Sequence, residues 1–168
     1  MFSDVGAHLK TVAGQDFQGL LPPHYPTCLG CGPDAEQGFH LQSRREGDEV
    51  VAEHTFTTRH SGAPGIAHGG AVATVVDDVL GMLLYVVRVP AVTRHLAVDY
   101  LKPVRLDVPY AIRAKVDSHE GRKLFVSCAC TDPDGVVAFT AKALFLAVPL
   151  SHFAAALTSG GGQAPVAP

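Results

Sequence analysis

Gly65-Ile66-Ala67-His68-Gly69-Gly70-Ala71-Val72-Ala73-Thr74-Val75-Val76-Asp77-Asp78 is the stretch that decides the fold. From Gly69 to about Val87 the chain offers good helix formers with apolar side chains around most of the circumference, the pattern of a buried helix. A polar loop and two glycines open it. The first N–H groups of a helix lack intrahelical partners and sit at the positive end of its dipole, so a carbonyl oxygen gaining negative charge is stabilised there. Glycine lets a ligand approach closely. Asp77 follows among Val75, Val76, Val79 and Leu80, roughly two and a half turns beyond His68. It shares a face with the small residues Ala73, Thr74 and Gly81, which leave room for a substrate chain. The bland alternative makes one of Asp77 and Asp78 a solvated edge and the other an ion-pair partner, but so apolar a helix argues against both being bland. Asp78 is expected to orient its neighbour or face a partner subunit.

Working outward, residues 38–43 and 49–57 read as two strands joined by the polar turn Arg44-Arg45-Glu46-Gly47-Asp48, and Ser61-Gly62-Ala63-Pro64-Gly65 reads as a loop. Beyond Pro90 the chain takes strand character over residues 93–100, 110–117, 123–131 and 136–148. Ser118-His119-Glu120-Gly121 and Asp132-Pro133-Asp134-Gly135 are turns, the second with Pro and Gly where a β-turn favours them. Four antiparallel strands cannot cover both faces of their own sheet. The single long helix covers one, so the expected class is α+β.

The ends are set apart. Residues 1–27 read as an arm, with a short amphipathic helix over 5–21 interrupted by Pro22, Pro23 and Pro26. Residues 28–150 form the domain, and 151–168 are a Gly-, Ala- and Pro-rich tail expected to be mobile. At 168 residues the chain suits one domain. Hydrophobic residues make up 47% and charged residues 17%, which fits a packed core and favours burial of surface against further copies of the chain. A net charge of -3 with no basic run marks no nucleic-acid surface. The start lacks a basic n-region and an apolar h-region, and residues 79–87, broken by Gly81, are too short to span a bilayer. The expectation is a cytoplasmic protein with no membrane and no nucleic-acid partner. The four cysteines, Cys28, Cys31, Cys128 and Cys130, are expected to be free thiols.

The segments Cys28-Leu29-Gly30-Cys31-Gly32, Pro64-Gly65-x-x-His68-Gly69-Gly70, the helical Asp77, Thr93 to Tyr100-Leu101-Lys102-Pro103, and Gly121-Arg122, in that order, resemble the hotdog-fold thioesterases, specifically the phenylacetate-degradation type of acyl-CoA thioesterase. The resemblance runs from about Cys28 to Val148. It implies a long central helix wrapped by a five- to six-stranded antiparallel sheet, and a homodimer or homotetramer, a dimer of dimers, with active sites between subunits. It places Gly69 as backbone donor to the thioester carbonyl, Asp77 as general base or nucleophile, Thr93 as the residue that helps place the water, and His68 as a shaper of the site. Ser61 stands where related sequences often carry a larger polar residue.

Such residues suit hydrolysis of acyl-CoA thioesters without cofactor or metal, and with it a role in lipid metabolism. A positioned water, one base and one N–H dipole act on an already reactive acyl donor. Gly70 joins Gly69 at the helix start. For the CoA phosphates the candidates are Arg94, Lys102, Arg105, Arg122 and Lys123, with an ordinary solvated rim as the alternative for each. Cys28-x-x-Cys31 reads as a tight turn with thiols against the sheet in preference to half a zinc site, for which Cys128 and Cys130, or His24 and His40, would have to supply the rest. Cys128 and Cys130 share a strand face toward the core. His60 reads as structural. Two further readings stay open: a dehydratase of 3-hydroxyacyl thioesters on the same scaffold, and a non-catalytic acyl-CoA binding module.

Overall fold

The computed structural model describes residues 15–153. Among the described residues nine strands are present: β1 (Gly19–Leu20), β2 (Ser43–Glu46), β3 (Glu49–Thr55), β4 (Ser61–Ala63), β5 (Ile66–Ala67), β6 (Ala91–Tyr100), β7 (Pro109–Glu120), β8 (Lys123–Thr131) and β9 (Val137–Ala147). The helices are α1 (Gly69–Gly81) and α2 (Leu83–Val87), separated at Met82. Seven strands form one antiparallel sheet in the order β1-β2-β3-β7-β8-β9-β6, while β4 and β5 pair as a separate ribbon. The expected hotdog architecture is present, and the sheet exceeds the expected count through the two-residue β1.

Alternation along β7 and β8 explains why the sheet takes a helix on one face. Tyr110, Ile112 and Ala114 of β7 and Leu124, Val126, Cys128 and Cys130 of β8 are buried, with more exposed residues between them. Against them lie Val72, Val75, Val76, Val79 and Leu80 of α1 and Leu83 and Tyr85 of α2. Full burial of each large aliphatic side chain stabilises the fold by about 1.5–3 kcal/mol. The stretch Gly69–Val87 is apolar and long enough to cross a bilayer by composition alone, yet more than half of its most apolar window is buried in this core.

Several expectations need correction. The helix foreseen over 5–21 does not reach its far end: Gly19 adopts φ 70°, and Gly19–Leu20 pairs with Arg45 and Arg44; residues 5–14 lie outside the described residues, as do 154–168 of the tail expected over 151–168. The first strand of the hairpin is Ser43–Glu46, not 38–43, and the turn is Gly47–Asp48, with Gly47 at φ 64°. Backbone N–H groups of Phe39 and Leu41 bond instead to the carbonyls of Leu29 and Gly30. The 61–65 loop is a small hairpin, since Gly65 at φ 73° turns Ser61–Ala63 back onto Ile66–Ala67. β7 continues to Glu120, so the turn to β8 is tighter than foreseen. The four later strands are not neighbours in sequence order either: β6 pairs with β9 and forms one edge of the sheet.

Candidate active site

His68 caps α1 through its side chain: Nδ1 accepts a hydrogen bond from the Gly70 N–H at 2.9 Å. Its backbone is extended, at φ -65° and ψ 134°, and its N–H donates to the His60 carbonyl at 2.7 Å. The cap consumes the Gly70 N–H. Gly69, the first helical residue, keeps an N–H that α-helical bonding does not use. Its carbonyl accepts from the Tyr100 hydroxyl at 2.7 Å, which ties the start of α1 to the end of β6. Both glycines are exposed. A groove of about 430 Å³ passes Gly69 and is lined by Ile66, Val72, Tyr100, Leu101, Lys102 and Val104 among others.

At the other end of α1, the Thr93 hydroxyl donates to Asp77 Oδ1 at 2.9 Å. Thr93 pairs with Phe145 across β6 and β9, and Phe145 is buried, so both side chains point to the helical face of the sheet. That register brings a hydroxyl sixteen residues away onto the carboxylate. A register shift between Thr93 and His95 re-aims the strand at this point. Asp77 is half-buried, and among the described residues it forms no ion pair.

The other expected residues are more scattered. Ser61 is exposed, and its hydroxyl donates to the Ala63 carbonyl at 3.0 Å within the small hairpin. Lys102 lines the Gly69 groove. Arg94 is exposed beside Thr93. Arg122 Nε donates to the Ala147 carbonyl at 3.0 Å, fixing it at the end of β9. Lys123 pairs with Leu146, which pairs with Val92, so it lies near the Thr93 end of the sheet. Its neighbour Leu124 is fully buried toward the helix, which directs Lys123 to the opposite face from Asp77. His60 Nδ1 accepts from the Thr57 N–H at 3.0 Å and its ring stacks on Phe39, contacts that suit a structural role.

Two residues acquire a place that the sequence reading did not assign. Tyr100 positions Gly69, and its signal was the Tyr100–Pro103 run. Asp78 neither orients Asp77 nor faces outward: it is buried, with 6% exposure, against His24 and Cys28. Adjacent residues on a helix point about 100° apart, which lets Asp77 face Thr93 while Asp78 faces His24 and Cys28.

Comparison with known proteins follows the same geometry. Residues 64–139, from the Pro64 turn through α1 and β6 to the start of β9, match the sequence model of the thioesterase superfamily. Over 86 residues, 51% of this chain, it is 40% identical to the acyl-coenzyme A thioesterase THEM4 of Rattus norvegicus, and the match covers 37% of that relative, so the chain spans well under half of its length. A crystal structure of a thioesterase superfamily protein superposes with a TM-score of 0.65 at 28% identity, covering 68% of this chain and 60% of the other. A hypothetical thioesterase from Streptococcus pneumoniae, solved with coenzyme A, superposes at 0.63 with 21% identity, covering 68% and 91%, a likeness of fold. The stretch that carries Gly69, Asp77 and Thr93 is therefore the part of the chain that is similar to the thioesterase superfamily, and the fold around it is that of solved thioesterases.

Proposed function

We propose that the protein hydrolyses acyl-CoA thioesters to the free carboxylic acid and CoA, with Asp77 as general base. The observation that carries this reading is the Thr93–Asp77 hydrogen bond at 2.9 Å. Once its hydrogen is committed to Asp77, the Thr93 oxygen retains lone pairs that accept a hydrogen bond from a water, and the free carboxylate oxygen accepts the other. The pair therefore offers a water two acceptors at once, which suits attack by that water.

In the proposed reaction Asp77 takes a proton from that water as its oxygen adds to the thioester carbon. The carbonyl oxygen becomes an oxyanion, stabilised by the Gly69 N–H and the start of α1. Collapse breaks the carbon–sulfur bond. The proton held by Asp77 passes to the departing thiolate, giving CoA thiol and regenerating the base. The acyl chain and the pantetheine arm share the groove past Gly69, where Lys102 offers a cation for phosphate.

We further propose a homodimer whose sites combine two chains. Gly69 and Asp77 lie eight residues apart on α1, which separates them by about 12 Å along the axis and about 80° around it. That is too wide for direct attack on a carbonyl held at Gly69. α1 runs antiparallel to β6, with Gly69 at the Tyr100 end and Asp77 at the Thr93 end. β6 is a ten-residue strand at the edge of the sheet, with one side unpaired among the described residues, and long open edges invite pairing. A two-fold axis across the middle of β6 would set the Thr93 end of one chain against the Tyr100 end of the other. Asp77 would then face Gly69 of the partner subunit. Thiol release from a panel of acyl-CoAs, short to long chain plus phenylacetyl- and benzoyl-CoA, tests the activity: release from any of them is expected, and none across the panel from folded oligomer would refute it.

A further inference from the structure

Behind the catalytic face of α1, four potential ligands converge from two distant parts of the chain. Nδ1 of His24, the thiols of Cys28 and Cys31, and a carboxylate oxygen of Asp78 all lie within 4.8 Å of one another. His24 Nδ1 is 3.2 Å from Asp78 Oδ1 and 3.3 Å from Cys31 Sγ, and Cys28 Sγ is 3.3 Å from Asp78 Oδ1. For zinc bonded to nitrogen and oxygen at about 2.0–2.2 Å and to thiolate at about 2.3 Å, the edges of a tetrahedron are about 3.3–3.8 Å. Three of the six edges of the cluster, at 3.2–3.3 Å, lie at the short end of that range, and all six are within 4.8 Å.

We propose that His24, Cys28, Cys31 and Asp78 bind one structural zinc ion per chain. Three features single out this set. Asp78 is 6% exposed, and its Oδ2 is buried with no hydrogen-bond partner; a buried carboxylate needs a compensating charge. The only other cationic candidate in the cluster, His24, must be protonated to supply one. Next, the backbone is shaped around the cluster. A methyl group on Gly30 would meet the Asp78 side chain at 2.3 Å, and one on Gly81 would meet the His24 ring at 3.1 Å. Finally, the donor types fit: two thiolates, an imidazole and a carboxylate, with the two cysteines at Cys-x-x-Cys spacing, suit zinc better than the hard cations that prefer oxygen. Cys128 and Cys130, buried in β8, take no part.

Four protein ligands leave no position for water or substrate, so the site is structural. Binding displaces the protons that the thiols and the His24 ring still hold, and the ion's two positive charges offset two of the three negative charges on the two thiolates and the carboxylate. Its effect is to fasten the 24–31 segment to α1 one residue from Asp77. Without the ion the same groups must share protons: burial pushes the Asp78 carboxyl up, and the Cys31 and His24 contacts pull the Cys28 thiol down.

The test is metal content of the full chain, purified without chelator, with cobalt substitution. One zinc per chain is expected, and cobalt(II) should give tetrahedral visible bands with thiolate-to-metal charge transfer. The double variant Cys28→Ser/Cys31→Ser should lower zinc content at least ~10-fold. Asp78→His keeps a donor and should retain zinc with an altered cobalt spectrum, which separates loss of a ligand from loss of the fold. Protein without zinc, a Cys28–Cys31 disulfide in freshly purified protein, or zinc retained by the double variant would each overturn the assignment. None of these readouts depends on thioesterase activity.

Discussion

The Thr93 hydroxyl donates a 2.9 Å hydrogen bond to Asp77 Oδ1, joining the first residues of an edge strand to the C-terminal half of α1. Thr93→Val keeps the shape and removes both this donor and the water's acceptor. The expected result is a fall in kcat of about 10- to 100-fold with KM little changed, corresponding to about 1.4–2.7 kcal/mol of transition-state stabilisation. A fall in KM-linked affinity alone would place Thr93 in substrate binding.

The water-attack route has an isotopic signature. In a single turnover in heavy-oxygen water, general-base catalysis puts solvent oxygen directly into the carboxylic acid. Attack by Asp77 itself, followed by opening of the mixed anhydride at the aspartyl carbonyl, would instead deliver an unlabelled carboxylate oxygen in the first turnover and leave the label on the enzyme. Mass spectrometry of product and protein distinguishes the two.

Gly69 stands at the first helical position, where proline is well tolerated because its missing N–H has no intrahelical partner. The extended backbone of His68 is also compatible with a following proline. Gly69→Pro therefore removes the proposed oxyanion donor while keeping the helix. kcat is expected to drop about 100- to 1,000-fold with the melting temperature nearly unchanged.

Mixing gives the test of a shared site. Asp77→Asn and Gly69→Pro chains, each inactive alone, are unfolded and refolded together. If each site joins Asp77 of one chain to Gly69 of the other, a mixed dimer has one intact site of its two. Random assortment then restores about one quarter of wild-type activity. No recovery, with mixed dimers present by mass, would place both groups of a site in one chain.

Away from the site, His54 is packed among Phe39, Phe56 and His60. Burial, aided by nearby His60, lowers its pKa from 6.5 to about 4. The unfolded chain takes up this proton near pH 6.5 and the folded protein only near pH 4, so the stability contributed by neutral His54 is full above this window and is lost as pH falls through it. Allowing for screening of a partly exposed ring, the loss is about 1–2 kcal/mol. His54→Phe should flatten that part of the stability-versus-pH curve in urea titrations. An unchanged slope would mean the ring titrates normally.

What was legible in the sequence was local. The apolar run after His68 announced the buried helix, and the Asp132–Gly135 turn forms as read, with the Gly135 N–H bonding to the Asp132 carbonyl at 2.9 Å. Gly69, Asp77 and Thr93 were named from the family pattern, and the structure joins Thr93 to Asp77. β2 escaped detection because its Ser-Arg-Arg-Glu sequence has no apolar alternation; it is held by pairing with β1 and β3. The position of β6 beside β9 is a long-range choice that no strand propensity encodes. The bond between Asp78 and the Cys28–Cys31 segment spans fifty residues, and only packing of that segment against α1 reveals it.

The most direct measurement is thiol release from the best acyl-CoA substrate by wild type and Asp77→Asn, side by side, with circular dichroism and oligomeric state matched. Loss of general-base catalysis should lower kcat by about 100- to 10,000-fold in the variant. Hydrolysis undiminished in a folded Asp77→Asn protein would contradict the assignment of the base and, with it, the proposed mechanism.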